Sequence, residues 1–328
     1  MTTITTNLPT PYPPAIVHPH GIWQLDADYV TPGVASVYVI RQGERLAIIE
    51  TGTAYTVPHI LDHIAALGLT PEQVDYVIPT HVHLDHAAGA GKLMAECPNA
   101  RLVIHPRGAA HMIDPSKLEA GTRAVYGDER YDSLYGALIP IAAERVIEAA
   151  DAFTLDFNGR TLTFLDTQGH AKHHFCVLDS GSNSIFTGDT FGVSYRMFDN
   201  DAGENLLFVT TTPIHFDPEA MRASILRLAG LKPECMYLTH YGAIRPTEHN
   251  VQQLLDSLDT VVAIAEQQQT PVEGRLQRIT DSLAAWLLER VQQVNPAFDI
   301  TLAKQWLATD ANLNAQGLEV WLTKKSQA

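Results

Sequence analysis

The chain has 328 residues, which allows one large domain or two, and 45% hydrophobic with 18% charged residues is typical of a folded globular protein. Its 22 Lys and Arg residues are outnumbered by 37 Asp and Glu residues, and the formal net charge of -15 makes nucleic acid and anionic membranes poor partners. No run approaches about 18 apolar residues, so no transmembrane helix is predicted.

The N-terminal segment lacks the basic and apolar regions of a secretory signal. Cys97, Cys176 and Cys235 form no CxxC pair, which is typical of a reducing compartment. These two observations predict a cytoplasmic protein.

Strands and helices alternate along the first three quarters of the chain. Residues 1–20 are predicted to be an arm, a helix is predicted over 57–67, and Thr70-Pro71-Glu72-Gln73 has the pattern of a capping box that starts another helix. Alternating or continuous apolar residues predict short strands over the following ranges: 22–25, 34–40, 46–49, 76–79, 102–104, 161–165, 175–178, 184–186 and 236–238.

The pattern changes near residue 248, where apolar residues begin to recur at helical spacing. Residues 249–328 are therefore predicted to be a helical C-terminal extension of a catalytic domain over 21–248. Two short helices are predicted for the last 30 residues. The Trp and Leu stripes of this extension are interpreted as core or as the face of a homodimer.

The most informative motif is His81-Val82-His83-Leu84-Asp85-His86, which places four potential metal ligands in six residues. It lies between an apolar strand and a run of Gly and Ala, which is unlike a surface His-rich loop. Imidazole and carboxylate groups suit zinc and also iron or manganese. In an extended segment residues i and i+2 share a face, so His81 and His83 can bind one ion, and Asp85 and His86 can reach a second.

Three further polar residues follow predicted strands: His170 in Gln168-Gly169-His170, Asp189 in Gly188-Asp189-Thr190, and His240 in Thr239-His240-Tyr241. Each alone has a simple structural interpretation, either as a hydrogen-bonded core histidine or as a turn. Together, and in this order after the first motif, they indicate one metal centre at the ends of several strands.

With these residues the chain resembles the metallo-β-lactamase-fold superfamily over about residues 20–245, and within it the glyoxalase-II-like and lactonase-like hydrolases. The resemblance implies an α/β fold, a four-layer αββα sandwich with the centre at one edge. It also implies two ligand sets that share a bridging carboxylate: His81, His83 and His170 for the first ion, Asp85, His86 and His240 for the second, and Asp189 between them.

Departures from the family's motifs narrow the choice among its branches. Asp189 stands where zinc β-lactamases have Cys, and His83 stands where the flavodiiron branch has Glu, so both activities are disfavoured. Gly192 stands where many lactonases have Tyr, and no basic glutathione-binding residues are identified in the C-terminal helices. Glu50 occupies the place of an Asp that commonly hydrogen-bonds a ligand histidine, and Glu can make the same bond.

The resemblance implies a dinuclear hydrolase of a small ester, thioester or lactone. Two divalent ions, zinc foremost, lower the pKa of a bridging water so that hydroxide attacks the carbonyl, and Asp85 orients the nucleophile. Two alternatives stay open: a mononuclear-iron persulfide dioxygenase, and a metal-binding sensor without turnover.

The substrate is expected to be a small molecule, anionic or polar. The insertion over residues 105–136 is interpreted either as a substrate-binding patch or as a solvated helix pair. The residues expected to contact substrate are Arg107, His111, Tyr126, Tyr195 and Arg196.

Overall fold

The computed structural model describes residues 12–211 and 213–327, so residues 1–11 of the predicted arm lie outside the described residues. Within these ranges the strands form two sheets of seven and six strands. The first sheet contains β1 (Ile16–His18), β2 (Ile22–Asp26), β3 (Ser36–Gln42), β4 (Arg45–Ile49), β5 (Val74–Ile78), β6 (Arg101–Ile104) and β7 (Val146–Glu148). The second contains β8 (Thr154–Phe157), β9 (Arg160–Asp166), β10 (Phe175–Asp179), β11 (Ser184–Gly188), β12 (Cys235–Leu238) and β13 (Gly242–Ile244).

The helices cover the outer faces of both sheets. They are α1 (Val57–Ala66), α2 (Leu84–Ala87), α3 (Ala90–Glu96), α4 (Pro106–Ile113), α5 (Ser116–Tyr126), α6 (Asp128–Tyr135), α7 (Pro218–Gly230), α8 (Glu248–Gln267), α9 (Arg275–Val294) and α10 (Ile300–Lys325). None of these helices is both long and apolar enough to cross a membrane.

Three clusters of buried apolar residues lie between four layers of helices and sheets. One contains Ile40, Phe164 and Phe186 and fills the space between the two sheets. A second packs α1, α3 and α4 on the outside of the first sheet. The third packs α7 to α10 on the outside of the second sheet, with Ile185 and Leu318 in the same cluster. This arrangement confirms the predicted αββα sandwich, because apolar side chains on both faces of each sheet need a covering layer.

The direction of the strands determines where the polar residues collect. Strands β4 to β7 are parallel to one another, and β9 and β11 are both antiparallel to β10, while β12 is parallel to β11. The carboxyl ends of β9, β11 and β12 therefore meet at one edge of the second sheet. Ligand sites in α/β folds form at such carboxyl ends.

Two predicted elements differ from the structure. The capping box at Thr70–Gln73 is present, but it closes a single 3₁₀ turn over Pro71–Gln73, because the next five residues pair with β4 and β6 as β5. The prediction of two short helices at the C-terminus is wrong: α10 runs unbroken over 26 residues. Asp299 caps its start, and no proline follows in the chain to interrupt it.

Candidate metal centre

The candidate ligands follow four strands that end at the same edge of the sandwich. His81 lies three residues beyond β5, and Asp189 follows β11 directly. His170 and His240 come after β9 and β12, and short helix α2 carries Asp85 and His86. The structure therefore brings together all seven predicted metal ligands, which are separated by up to 159 residues in the chain (His81 to His240).

The first ligand set consists of His81, His83 and His170, whose nitrogen atoms lie within 4.8 Å of one another. His83 Nδ1 and His170 Nε2 are 3.0 Å apart. Burial, and then the neighbouring histidines, lower the pKa of His81 and of His83 well below the usual value. These imidazoles are neutral at pH 7, and neutral imidazole is the form that binds a metal ion.

The second set consists of Asp85, His86 and His240, and Asp189 lies between the two sets. Asp189 Oδ2 is 3.4 Å from His170 Nε2, while Asp189 Oδ1 is 3.2 Å from His86 Nε2 and 3.6 Å from His240 Nε2. One carboxylate thus presents a different oxygen to each set. Asp189 is therefore placed to serve both ligand sets.

The residues fit a pair of metal ions on two grounds. Among residues 12–211 and 213–327, His81 Nε2 is buried and has no hydrogen-bond partner, which is costly for a polar atom unless a further ligand satisfies it. Burial disfavours protonation of His240, but Asp189 and Asp85 outweigh it and raise the pKa of His240 to about 9. The two carboxylates therefore create a field that favours positive charge at this place.

Glu50 supports the second ligand set through hydrogen bonds. Its carboxylate accepts hydrogen bonds from the backbone and side chain of Thr80 at 3.0 and 2.6 Å, from Thr239 Oγ1 at 2.9 Å, and from His86 Nδ1 at 3.0 Å. The hydrogen bond predicted for Glu50 is therefore present. In a metal-bound, neutral His86 this bond would hold the proton on Nδ1 and leave Nε2 as the ligand atom.

Two other ligands are held in the same way. His240 Nδ1 donates to the Val34 carbonyl oxygen at 2.7 Å, and His170 Nδ1 lies 2.6 Å from Thr210 Oγ1. Both contacts turn the Nε2 atom of the imidazole toward the centre. His174 is not a ligand of either set: it accepts a hydrogen bond from the Asp189 backbone at 3.2 Å and so fixes the bridging residue, as expected for a supporting histidine.

A group of tyrosines borders the centre beside Asp85. This phenol flank consists of Tyr29, Tyr126 and Tyr135, which pack with Leu84 on α2. The hydroxyls of Tyr29 and Tyr135 are 3.2 Å apart, and the rings of Tyr126 and Tyr135 are 6.1 Å apart. Burial, and then the Asp85 carboxylate, raise the pKa of Tyr29 and of Tyr126. Neutral phenols therefore stand near the carboxylate at neutral pH.

The C-terminal helix α10 also comes near the centre, through a hydrogen bond between Tyr195 and Asp310. Tyr195 is buried, and its hydroxyl donates to Asp310 Oδ1 of α10 at 2.9 Å. Burial raises the pKa of Asp310 to about 6. The carboxylates of Asp189 and Asp85 contribute to the raised pKa of Tyr195, which places this pair within electrostatic reach of the centre.

The other residues expected to contact substrate are held by different elements of the fold. Arg107 is exposed at the start of α4 and donates to the Lys172 carbonyl oxygen at 3.3 Å. His111 is half-buried on the same helix and lies close enough to His173 to lower its pKa. Arg196 donates to the Ala243 carbonyl oxygen at 2.8 Å, so its guanidinium is held against β13.

Sequence reasoning missed Tyr29, Tyr135, Asp310 and Thr210 as neighbours of the centre. These residues are far from the ligand motifs in the chain: 106 residues separate the two tyrosines, and 115 separate Asp310 from Tyr195. Only Thr210 had a local signal, as one of three threonines in succession after an apolar run. The insertion at 105–136 forms the three helices α4, α5 and α6 instead of a helix pair.

The fold, the strand-end ligands and the bridging carboxylate define a class of α/β metalloproteins, and the sequence pattern of the metallo-beta-lactamase superfamily matches residues 30–240. The chain belongs to this superfamily.

Several known proteins are similar in sequence to this chain. Metallo-beta-lactamase fold-containing protein ST1585 of Sulfurisphaera tokodaii is 28% identical over 68% of this chain and 80% of its own length. A hydroxyacylglutathione hydrolase of Aeromonas hydrophila is 26% identical over 66% of this chain and 68% of its own length. Thioesterase pkgB of Emericella nidulans is 26% identical over 64% and 46%.

Solved structures agree with the fold. The crystal structure of ST1585 superimposes with a TM-score of 0.63 at 22% identity and covers 91% of this chain and 98% of its own. A Thermus thermophilus protein of the same family gives 0.59 at 17% identity, covering 93% of this chain and 94% of its own.

Proposed function

We propose that this protein is a dinuclear metal-dependent hydrolase of a small ester, thioester or lactone. The observation that carries the proposal is Asp189, whose two oxygens lie 3.4 Å from His170 Nε2 and 3.2 Å from His86 Nε2. His81, His83 and His170 would hold one ion, and Asp85, His86 and His240 the other, with Asp189 shared. A mononuclear dioxygenase would need only the first set.

Two bound divalent cations would supply an activated water and polarise the carbonyl of the substrate. In the reaction the water oxygen bonds to the acyl carbon and the bond to the leaving oxygen or sulfur breaks. The products are a carboxylate and an alcohol or thiol, and the water protons pass to the leaving group and to solvent. Thioesters are favoured among the substrates by the relatives named hydroxyacylglutathione hydrolase and thioesterase.

We assign to Asp85 the role of orienting the attacking water. Its side chain is 23% exposed, whereas those of His86 and Asp189 are 0% and 6% exposed, so it is the most accessible of the three. Burial raises the pKa of Asp85, but His86 and His240 outweigh it and hold that pKa below its usual value. Asp85 is therefore ionised, accepts a hydrogen bond from the attacking water and orients it.

Turnover by metal-loaded protein tests the proposal. The protein, reconstituted in turn with zinc, iron and manganese, is assayed against matched acyl esters, acyl thioesters and lactones. We expect hydrolysis of at least one class that disappears on chelation, returns on adding metal, and is lost in Asp189→Ala. Absence of hydrolysis with two ions bound would contradict the proposal and favour a sensor, and oxygen consumption with a persulfide would favour the dioxygenase.

A further inference from the structure

Basic and imidazole side chains gather on the side of the centre opposite Asp85, next to His170. This basic flank is formed by residues from four segments of the chain: Arg107, Lys172, His173, His215 and Lys324. Hydrogen bonds to backbone carbonyls tie these segments together. Arg107 donates to Lys172 O at 3.3 Å, and Lys324 Nζ donates to Ile214 O at 2.7 Å.

The basic flank adjoins the first ligand set. The ring of His173 lies 5.7 Å from that of His83 and 5.6 Å from that of His215, in nearly perpendicular arrangements. Burial, followed by Lys172 and Lys324, lowers the pKa of His215, and His170 contributes in the same direction. The basic flank therefore lies next to the first ligand set.

The three cations of the basic flank stand near one another, although the chain has a net charge of -15. Arg123, in the same insertion as Arg107, pairs with Glu119, Asp128 and Asp132. By contrast, among residues 12–211 and 213–327, Arg107, Lys172 and Lys324 take part in no ion pair. Like charges held close together repel one another, so this arrangement favours the arrival of an anion.

An unpartnered imidazole nitrogen adds a second observation. His173 is 8% exposed, and its Nδ1 atom is buried without a hydrogen-bond partner among the described residues. An imidazole N–H can donate a hydrogen bond to an oxyanion at the edge of the cationic group.

We propose that the basic flank binds an oxyanion group of the substrate, a carboxylate or a phosphate, while the scissile acyl group lies at the metal centre. The planar guanidinium of Arg107 can bind two oxygens of such a group, and Lys172 and Lys324 add charge. This inference rests on the proposed hydrolase function and names its substrate class. An acyl compound with an anionic group a few bonds from the scissile carbonyl fits it.

Three ligands of matched length test the flank without turnover. Butyrate, succinate and 3-phosphonopropionate share one carboxylate for the metal centre, and their far ends are a methyl, a carboxylate and a phosphonate. Calorimetric titration of the metal-loaded protein is expected to show at least one of the two dianionic ligands binding about tenfold tighter than butyrate, or about 1.4 kcal/mol. The tighter of the two identifies the oxyanion.

The double variant Arg107→Ala/Lys172→Ala is expected to abolish that preference and leave butyrate binding unchanged. Lys117→Ala is the matched control, because Lys117 is an exposed cation of the same insertion that lies beside Asp114. Equal affinity of the three ligands for the wild-type protein, or a preference that survives in the double variant, would overturn the proposal.

Kinetics with two esters complete the experiment. Mono-p-nitrophenyl succinate and p-nitrophenyl butyrate have the same leaving group and acyl length and differ in one carboxylate. The KM of Arg107→Ala should rise about tenfold for the succinate ester only, and equal increases for both esters would contradict a role in anion recognition. If the wild-type protein hydrolyses neither ester nor any related compound, the hydrolase proposal fails while the titrations still decide the flank.

Discussion

The two sides of the metal centre differ in the chemistry of their neighbours. Beside Asp85 the phenol flank offers neutral hydroxyls at Tyr29 and Tyr126, whereas the basic flank beside His170 offers the cations of Arg107 and Lys172. The ligand sets themselves are nearly symmetrical about Asp189. Under the proposal above, this difference would orient the substrate with its charged end toward His170 and its uncharged end toward Asp85.

Both flanks are built largely from segments outside the two sheets. The insertion supplies Arg107 from α4 and Tyr126 from α5, and the C-terminal helix α10 supplies Lys324 and Asp310. The strands that carry the ligands are buried in the sandwich and contribute little exposed surface there. Under the proposed function, the sheets position the metal ligands and the added helices select the substrate.

The largest effect is expected at the centre itself. Asp85→Asn keeps the size of the side chain but removes the charge that orients the water, and kcat should fall by about 10²–10⁴-fold. Turnover is measured by steady-state kinetics and bound metal by elemental analysis on the same sample. Near-normal kcat at full metal content would remove Asp85 from the chemistry and leave it as a ligand only.

The next largest effect is expected at Glu50, which holds the metal ligands in place but takes no part in the chemistry itself. Glu50→Gln replaces a carboxylate that accepts hydrogen bonds from Thr80, Thr239 and His86, and an amide cannot accept all of them. We expect metal affinity to weaken by about 10–100-fold, more for the second ion than for the first. Competition with a chromophoric chelator measures both affinities, and equal weakening at the two sites would contradict the assignment of Glu50 to the second set.

The smallest effect is expected in the phenol flank, where it tests the difference between the two flanks. Tyr126→Phe removes one hydroxyl of the phenol flank and should raise KM about two- to tenfold, the equivalent of one hydrogen bond, equally for anionic and neutral esters. Tyr131→Phe is the control, because the Tyr131 hydroxyl is buried in the same cluster without a partner. A KM change in Tyr126→Phe that is confined to anionic esters would mean that the two flanks do not differ as described.

The sequence predicted the centre better than its surroundings, for a physical reason. Each ligand motif begins a few residues after an apolar strand, so a local pattern locates it, and these strands end at one shared edge of the sandwich. Tyr29 and Asp310 reach the site only through packing between distant helices and loops, which no local pattern encodes. The helical extension was predicted correctly from its periodicity, and only the division of the last 30 residues into two short helices was wrong, because periodicity alone does not show that α10 runs unbroken along α9.

The central claim is that the two ligand sets hold two ions with Asp189 between them, and metal stoichiometry tests it most directly. Protein reconstituted with excess zinc, freed of unbound metal and analysed for metal and protein on one sample should contain about two ions per chain. Asp189→Ala should lower that value, because both sets lose an oxygen ligand. One ion per chain in fully loaded wild-type protein would contradict the dinuclear account and favour a mononuclear centre at His81, His83 and His170.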